Sequence, residues 1–317
     1  MLVVKNVKSQ TRIVSALLAV YVFWGGTYLA MKIAIETIPP FILGGTRFVA
    51  AGLILFIWEI CRGHRAPTKS QWLYGTFLGI IMVFIAQGGI IWAQQFVPSG
   101  IAAIIFATVP LWMTLISWLL QGAKQPNNYV TFGLVLGFFG MVLQVKSSLL
   151  GVSVSQGSWM GYIVLFLAAI TWAWGSVYSR VFPQPESPFM SIALQMITGG
   201  AFFFIVSHFA GEWKQFDILL VSFDSLFSLG YLVFCGSIIG FSSYIWLLKV
   251  ADTALVSTYA YVNPVVAVFL GYTLAGEPIT LNDALVAVLI LTSVIIISRN
   301  SMEKQASTLS EAAGASQ

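Results

Sequence analysis

One charged side chain, Arg47, stands well inside an apolar run, PPFILGGTRFVAAGLILF, seven residues after Pro40. On a helix beginning at that proline it sits roughly 10 Å along the axis. An Arg at the centre of a membrane span costs about 2.5 to 3.5 kcal/mol, less nearer the interface, so it has to face protein or a wet cavity. There it either binds an anionic group, such as the carboxylate of a small solute, or acts structurally as a donor to helix-end carbonyls or to a loop acid such as Glu36. No Asp, Glu or His falls in the middle third of any apolar run, since Glu59, Glu277 and Asp283 lie at or near run ends. A proton relay through a buried carboxylate therefore lacks its usual part. Metal-ligating and catalytic spacings are missing as well, so no metal and no cofactor are expected.

Two prolines, Pro110 and Pro264, occupy corresponding places in two apolar runs, and each removes an N–H and exposes a carbonyl one turn earlier. Such paired kinks either bend helices around a solute or are tolerated within the bundle. Asn263 beside Pro264 and Thr108 near Pro110 add polar groups at both places. Trp24, Tyr28, Trp112, Trp172, Trp174, Tyr178, Tyr244, Tyr259 and Tyr261 lie deep in apolar runs and suit a cavity for amphipathic solutes, while Gln87, Gln195 and Asn263 add hydrogen bonds. Packing explains any single one of these equally well. Trp58, Trp72, Trp159 and Trp213 near run ends fit an interfacial belt.

The elements that must position these residues are membrane helices. The 317 residues are 58% hydrophobic and 8% charged, with a mean hydropathy of +0.90, far more apolar surface than one soluble core hides. The apolar blocks are about 20 residues long, matching a hydrocarbon layer about 30 Å thick. Spans are expected at about 12–33, 40–61, 71–91, 99–121, 128–146, 159–181, 188–210, 223–248, 253–275 and 280–299, with breaks at Pro39-Pro40, Pro67, Pro98-Ser99-Gly100, Pro126-Asn127-Asn128, Pro183-Gln184-Pro185 and Pro278. The first block is too long for a signal-peptide core and is read as a span. Cys61 and Cys235 are too far apart to suggest a disulfide or zinc framework.

The net charge of +4 does not form one basic face, which argues against a nucleic-acid partner. With the N-terminus inside, the cytoplasmic segments collect Lys5, Lys8, Arg12, Arg62, Arg65, Lys69, Lys124, Arg180, Lys249, Arg299 and Lys304, against Lys32, Lys146 and Lys214 on the other side. That bias favours an even number of spans with both ends cytoplasmic.

The chain also repeats itself. Trp24-Gly25 and Tyr28 recur as Trp174-Gly175 and Tyr178 at an offset of 150. Arg47 and Gly52 fall on Gln195 and Gly200 at 148, and Trp92, Pro110, Leu120 and Gly122 fall on Trp246, Pro264, Leu274 and Gly276 at 154. The preserved order points to internal duplication. A unit with an odd number of spans puts its second copy upside down, an architecture that lets a central site open to either side alternately.

The stretches WGGTYLAMK, PPFILGGTRFVAAGLILF, VPSGIAAIIFATVPLW, ITWAWGSVYSR and STYAYVNPVVAVFLGYTLAGEPIT closely resemble the EamA family of the drug/metabolite transporter superfamily, in particular its YedA-like bacterial branch. The resemblance covers nearly the whole chain. It implies an all-α integral membrane protein of ten transmembrane helices in two inverted five-helix EamA repeats. The expected division is a cytoplasmic N-terminal tail at 1–11, a first repeat at 12–147, a linker at 148–158, a second repeat at 159–299 and a disordered cytoplasmic tail at 300–317. It also implies an inner-membrane location and export of amino acids, related metabolites or drugs. The family's Trp-Gly pairs correspond to Trp24-Gly25 and Trp174-Gly175, its second-span Arg to Arg47, its ninth-span Asn-Pro to Asn263-Pro264, and its Glu after that span to Glu277. Ala123-Lys124 stands where the first repeat is often acidic, and Ala93 or Gln94 replaces an acidic residue before VPSG, which argues against proton coupling.

The function expected is therefore alternating-access export of a small-molecule substrate within a lipid bilayer. A membrane-embedded enzyme would need a catalytic cluster that the chain does not display, and a sensor or scaffold would need a soluble output domain. No pattern in the chain sets an oligomeric state, and a monomer suffices.

Overall fold

The computed structural model describes residues 2–275, apart from Pro98, 123–125, 151–157, Arg180 and Gln184, and then scattered residues between 281 and 296. Among the described residues there is no strand. Helix α1 spans Leu2–Ala34, α2 Pro40–Cys61, α3 Lys69–Ala93, α4 Ser99–Phe106, α5 Val109–Gln121, α6 Asn128–Leu150, α7 Ser158–Tyr178, α8 Pro188–Phe209, α9 Phe223–Val250, α10 Thr253–Ser257 and α11 Tyr259–Ala275. Six stretches among the described residues are long and apolar enough to cross a membrane: Gln10–Ala34, Pro40–Cys61, Lys69–Ala93, Met160–Tyr178, Pro188–Phe209 and Phe223–Val250. Large apolar side chains such as Leu18, Ile57, Leu73, Phe139 and Leu167 point outward, as expected where lipid is the solvent. The fold is that of a multi-pass membrane protein. Most of the expected last span, most of the linker, the C-terminal tail, Lys124 and Glu277 lie outside the described residues.

Two expected spans are broken rather than continuous. The stretch 99–121 divides into α4 and α5 at Ala107-Thr108, where the Thr108 hydroxyl bonds the Ile105 carbonyl at 2.7 Å. Pro110 lies in the first turn of α5, where its missing N–H deprives the helix of nothing. It does not kink a helix interior. Of the two, only Pro264 lies inside a helix, α11, where a proline can bend it, and the expected matched pair of interior kinks is corrected accordingly. The stretch 253–275 breaks earlier, at Thr258, whose hydroxyl bonds the Leu255 carbonyl at 2.6 Å and lies 2.5 Å from the Tyr21 hydroxyl.

Both α3 and α9 contain an unusually long π-helical segment, Gly79–Gln87 and Leu232–Phe241. The repeat offset of 154 carries the first to 233–241, within one residue of the second. Such segments are rare and recur at functional sites.

Helices α2 and α8 are the most closely packed pair. A Cβ added to Gly52 would lie 2.8 Å from the Ile197 nitrogen and 3.0 Å from the Met196 Cβ, and one added to Gly200 would lie 2.8 Å from the Val49 nitrogen. The offset of 148 turns each of these contacts into the other. Small residues at this crossing let the backbones approach. In the same sense α1 packs on α9 and α11, while α7 packs on α3 and α5.

The start of α2 is closed from a distance. Pro39 supplies no capping side chain. Instead the half-buried Glu212 carboxylate accepts hydrogen bonds from the N–H groups of Phe41 at 3.1 Å and Ile42 at 2.9 Å. An anion at a helix N-terminus satisfies free donors and the helix dipole together.

Candidate functional site

A cavity opens where α1, α2, α3, α4, α7, α9 and α11 meet. It is lined by Trp24, Thr27, Tyr28, Met31, Arg47, Gln87, Ile90, Phe106, Trp172, Phe241, Tyr259 and Asn263. Its empty space of about 400 Å³ includes open space at its mouth. The contiguous part holds on the order of one or two waters, so a larger solute requires the surrounding helices to part.

Arg47 is 3% exposed. Its Nε donates to the Ser237 hydroxyl at 2.9 Å and its Nη1 to the Met31 sulfur at 3.6 Å, and the guanidinium carbon lies 4.5 Å from the Phe48 ring centroid. Neither a helix-end carbonyl nor Glu36 serves as its partner, and among the described residues no carboxylate reaches ion-pair distance of it. A hydroxyl and a thioether orient the group without neutralising it. Among the described residues nothing compensates this positive charge.

Around the other wall stands an aromatic cage. The Trp24 indole N–H donates to the Gly236 carbonyl at 2.8 Å, which fixes the ring. Trp24 meets Trp172 and Tyr259 edge to face at 5.6 and 5.0 Å, and Tyr244 at a tilt at 5.0 Å. Trp172 stacks on Tyr244 at 5.4 Å, and the Tyr244 hydroxyl bonds Ser176 at 2.6 Å. Edge-to-face and offset pairs each add about 0.5 to 1.5 kcal/mol beyond burial, so the cage is rigid. Three buried polar atoms on this wall make no hydrogen bond: Trp172 Nε1, the Tyr259 hydroxyl and Asn263 Oδ1. The Tyr259 hydroxyl lies beside Trp172 and Tyr244 without hydrogen-bond geometry to either. An unsatisfied buried group costs about 1 to 3 kcal/mol, which a bound polar solute or water would relieve.

A second cation entering beside Arg47 would lose several kcal/mol of hydration. The aromatic faces return about 0.5 to 2 kcal/mol by cation–π attraction, which does not offset that loss.

Of the side chains singled out in the sequence, Trp24, Tyr28, Arg47, Gln87, Trp172, Tyr259 and Asn263 converge on the cavity. Tyr244 stands behind Trp24 in the cage, and Pro264 follows Asn263 in α11. The remainder lie elsewhere. Trp174 and Tyr178 stack on each other at 4.4 Å and face Phe77 and Phe182. Thr108, Pro110 and Trp112 cluster at the α4–α5 break, where the Trp112 indole bonds Thr108 at 3.3 Å. Gln195 is fully buried in α8 and donates to Ser191 at 3.3 Å. Trp172 takes the cavity position that the repeat assigns to Trp174: two residues along a helix are roughly 200° around it, so one faces in where the other faces away. Thr27, Met31, Ile90, Phe106 and Phe241 carry no sequence signal of their own, and neither does the Arg47 anchor Ser237.

The profile of the EamA-like transporter family matches residues 11–145 and again 159–299. The chain is 35% identical over 284 residues to the "Uncharacterized inner membrane transporter YedA" of Escherichia coli K12, covering 89% of each. It is 25% identical to the "Uncharacterized transporter YoaV" of Bacillus subtilis, covering 90% of this chain and 96% of that one. To the "Probable amino-acid metabolite efflux pump" of Escherichia coli K12 it is 24% identical, covering 88% and 92%. A solved structure described only as "Crystal structure of protein" superposes with a TM-score of 0.74 at 18% identity over 92% of this chain and 98% of that one, a likeness of fold. The double match to one profile, together with the extent of the likeness to YedA, means that the chain belongs to the EamA-like transporter family.

Proposed function

We propose that this protein is an inner-membrane exporter of small metabolites, amino acids and related compounds or amphipathic drugs, working by alternating access. The carrying observation is the cavity itself, in which an unneutralised Arg47, an aromatic cage and unpaired polar atoms are contributed by helices from both ends of the chain. Trp24, Tyr28, Arg47, Gln87, Tyr259 and Asn263 would contact the solute. Tyr244 and Pro264 would support them, and Thr108, Pro110, Trp112, Trp174, Tyr178 and Gln195 would take part only through helix movement.

The architecture proposed is ten spans in two inverted repeats, 12–147 and 159–299, with both termini cytoplasmic. Support comes from the reciprocal Gly52 and Gly200 contacts, the matched π segments, and the mirrored packing of α1 and α7. A self-complementary contact of this kind is what a two-fold relation between similar units produces. The loop charges support the orientation. The inner-membrane location and the class of solute rest on the relatives' names.

The test is flux. Purified protein in proteoliposomes should move a solute first identified by thermal stabilisation, with saturation kinetics. Cysteine labelling should place both termini on the cytoplasmic side. A folded protein that carries no member of a broad metabolite panel would defeat the proposal, and an external Gln317 would defeat the topology.

A further inference from the structure

We infer that the cavity selects an amphipathic monoanion, an aromatic or branched carboxylate without an ammonium group, and that its export is driven by the membrane potential rather than by protons. This rests on the transporter reading and narrows it. Among the described residues Arg47 is the one charged group lining the cavity, and its observed partners, Ser237 and Met31, leave its charge standing. Among the described residues no carboxylate lines the cavity to receive an ammonium. A monoanion makes the occupied site neutral, whereas a zwitterion brings in a second buried cation. The body of the solute then meets Trp24, Trp172 and Tyr259, whose faces are apolar and whose free polar atoms suit a carbonyl or hydroxyl better than an ion.

The driving force follows from the same count of charges. An outward-moving monoanion carries one negative charge, and an inside-negative potential favours that movement without a proton. Its equilibrium distribution shifts about tenfold for about 60 mV. A carrier with no mid-membrane acid on its described helices has no need of one under this scheme.

Three probes carry the same benzyl group and differ in charge: phenylpyruvate, L-phenylalanine and 2-phenylethylamine. Each is loaded into proteoliposomes of the wild-type protein, and efflux is followed with and without a valinomycin-clamped potassium potential. Saturable efflux of phenylpyruvate at least about tenfold faster than that of phenylalanine is expected. Its distribution should follow the potential, and the amine should be excluded. Arg47→Gln should abolish the preference for the anion, but the wild-type comparison stands without that variant. Phenylalanine carried as fast as phenylpyruvate, or flux indifferent to potential, overturns the inference and leaves the transporter reading intact. No saturable flux of any probe by a cooperatively melting protein overturns the inference; extending that failure to a broad metabolite panel overturns the transporter reading as well.

Discussion

Arg47 Nε donates to the Ser237 hydroxyl at 2.9 Å, tying the cation of α2 to the π segment of α9. The neighbouring residue, Gly236, accepts the Trp24 indole N–H at 2.8 Å. Two consecutive residues of one π segment thus set both the charge and the cage. Gly236 is needed for a further reason: a Cβ there would come within 3.0 Å of Arg47 Nη2 and 2.8 Å of the Thr27 methyl. The guanidinium lies over backbone where any other residue would project a side chain.

Ser237 accordingly acts through Arg47, as a positioning residue. Ser237→Ala removes one charge-assisted bond, worth about 1.5 kcal/mol, and should weaken the binding of an anionic solute about tenfold. The maximal flux should change little. Titration of tryptophan fluorescence with phenylpyruvate gives the affinity, and an unaltered value would mean that packing alone holds Arg47.

The α2–α8 crossing offers a test of the proposed symmetry. Gly52→Ala and Gly200→Ala each push a methyl onto a backbone nitrogen 2.8 Å away. Overpacking of this kind costs about 1 to 3 kcal/mol. Because the two contacts are related by the repeat offset, melting temperatures of the two variants should fall by similar amounts. A large fall in one and none in the other would show that the crossing is not reciprocal in energy.

The apolar blocks, and hence the helices, were legible because burial in lipid requires an apolar run whatever it packs against. Arg47 was legible for the converse reason, since a charge in such a run needs a partner or a cavity. Ser237 was not: a small hydroxyl is cheap anywhere in a helix, and only the fold brings it to Arg47. The choice between Trp172 and Trp174 depends on helix phase, which two indoles two residues apart leave open. Pro110 and Pro264 share a repeat position but not a role, because the break at Thr108 lies just before Pro110 and puts it in a first helical turn, whereas the break at Thr258 lies earlier and leaves Pro264 inside α11. The π segments also depend on distant contacts. At Gly79 a Cβ would fall 2.5 Å from the Gln195 carbonyl oxygen, so α8 sets how closely that segment can lie.

Glu212 provides a handle on pH. Burial pushes its pKa above the ordinary value near 4.5, an effect only partly offset by the bonds from Phe41 and Ile42. A carboxyl with a raised folded-state pKa contributes stability that is fully present below the unfolded value and is lost as pH rises through the folded one. Glu212→Gln, which stays neutral and keeps one acceptor, should therefore gain on the wild type as pH rises from about 4 to about 7. Melting curves of both proteins across that range measure the difference. A constant difference would mean that the two N–H bonds balance the burial.

Asn263 is 3% exposed, its Oδ1 has no hydrogen-bond partner, and it stands on the cavity wall immediately before Pro264. Tyr259, one turn earlier on the same face of α11, presents a hydroxyl that is likewise unbonded. Two such groups on one wall are costly in an empty site and favourable in a filled one, which is the difference that binding a polar solute exploits. Removal of a group whose stabilising partner is the solute should lower affinity without lowering the stability of the empty protein. Asn263→Ala should therefore reduce flux at low solute concentration about tenfold while the unliganded melting temperature holds or rises slightly, because an unsatisfied amide oxygen is gone. A structural Asn263 gives the opposite pattern, with a lower melting temperature and unchanged affinity. Measuring flux and melting on one preparation separates the two, and unaltered flux with unaltered melting would remove Asn263 from the binding site altogether.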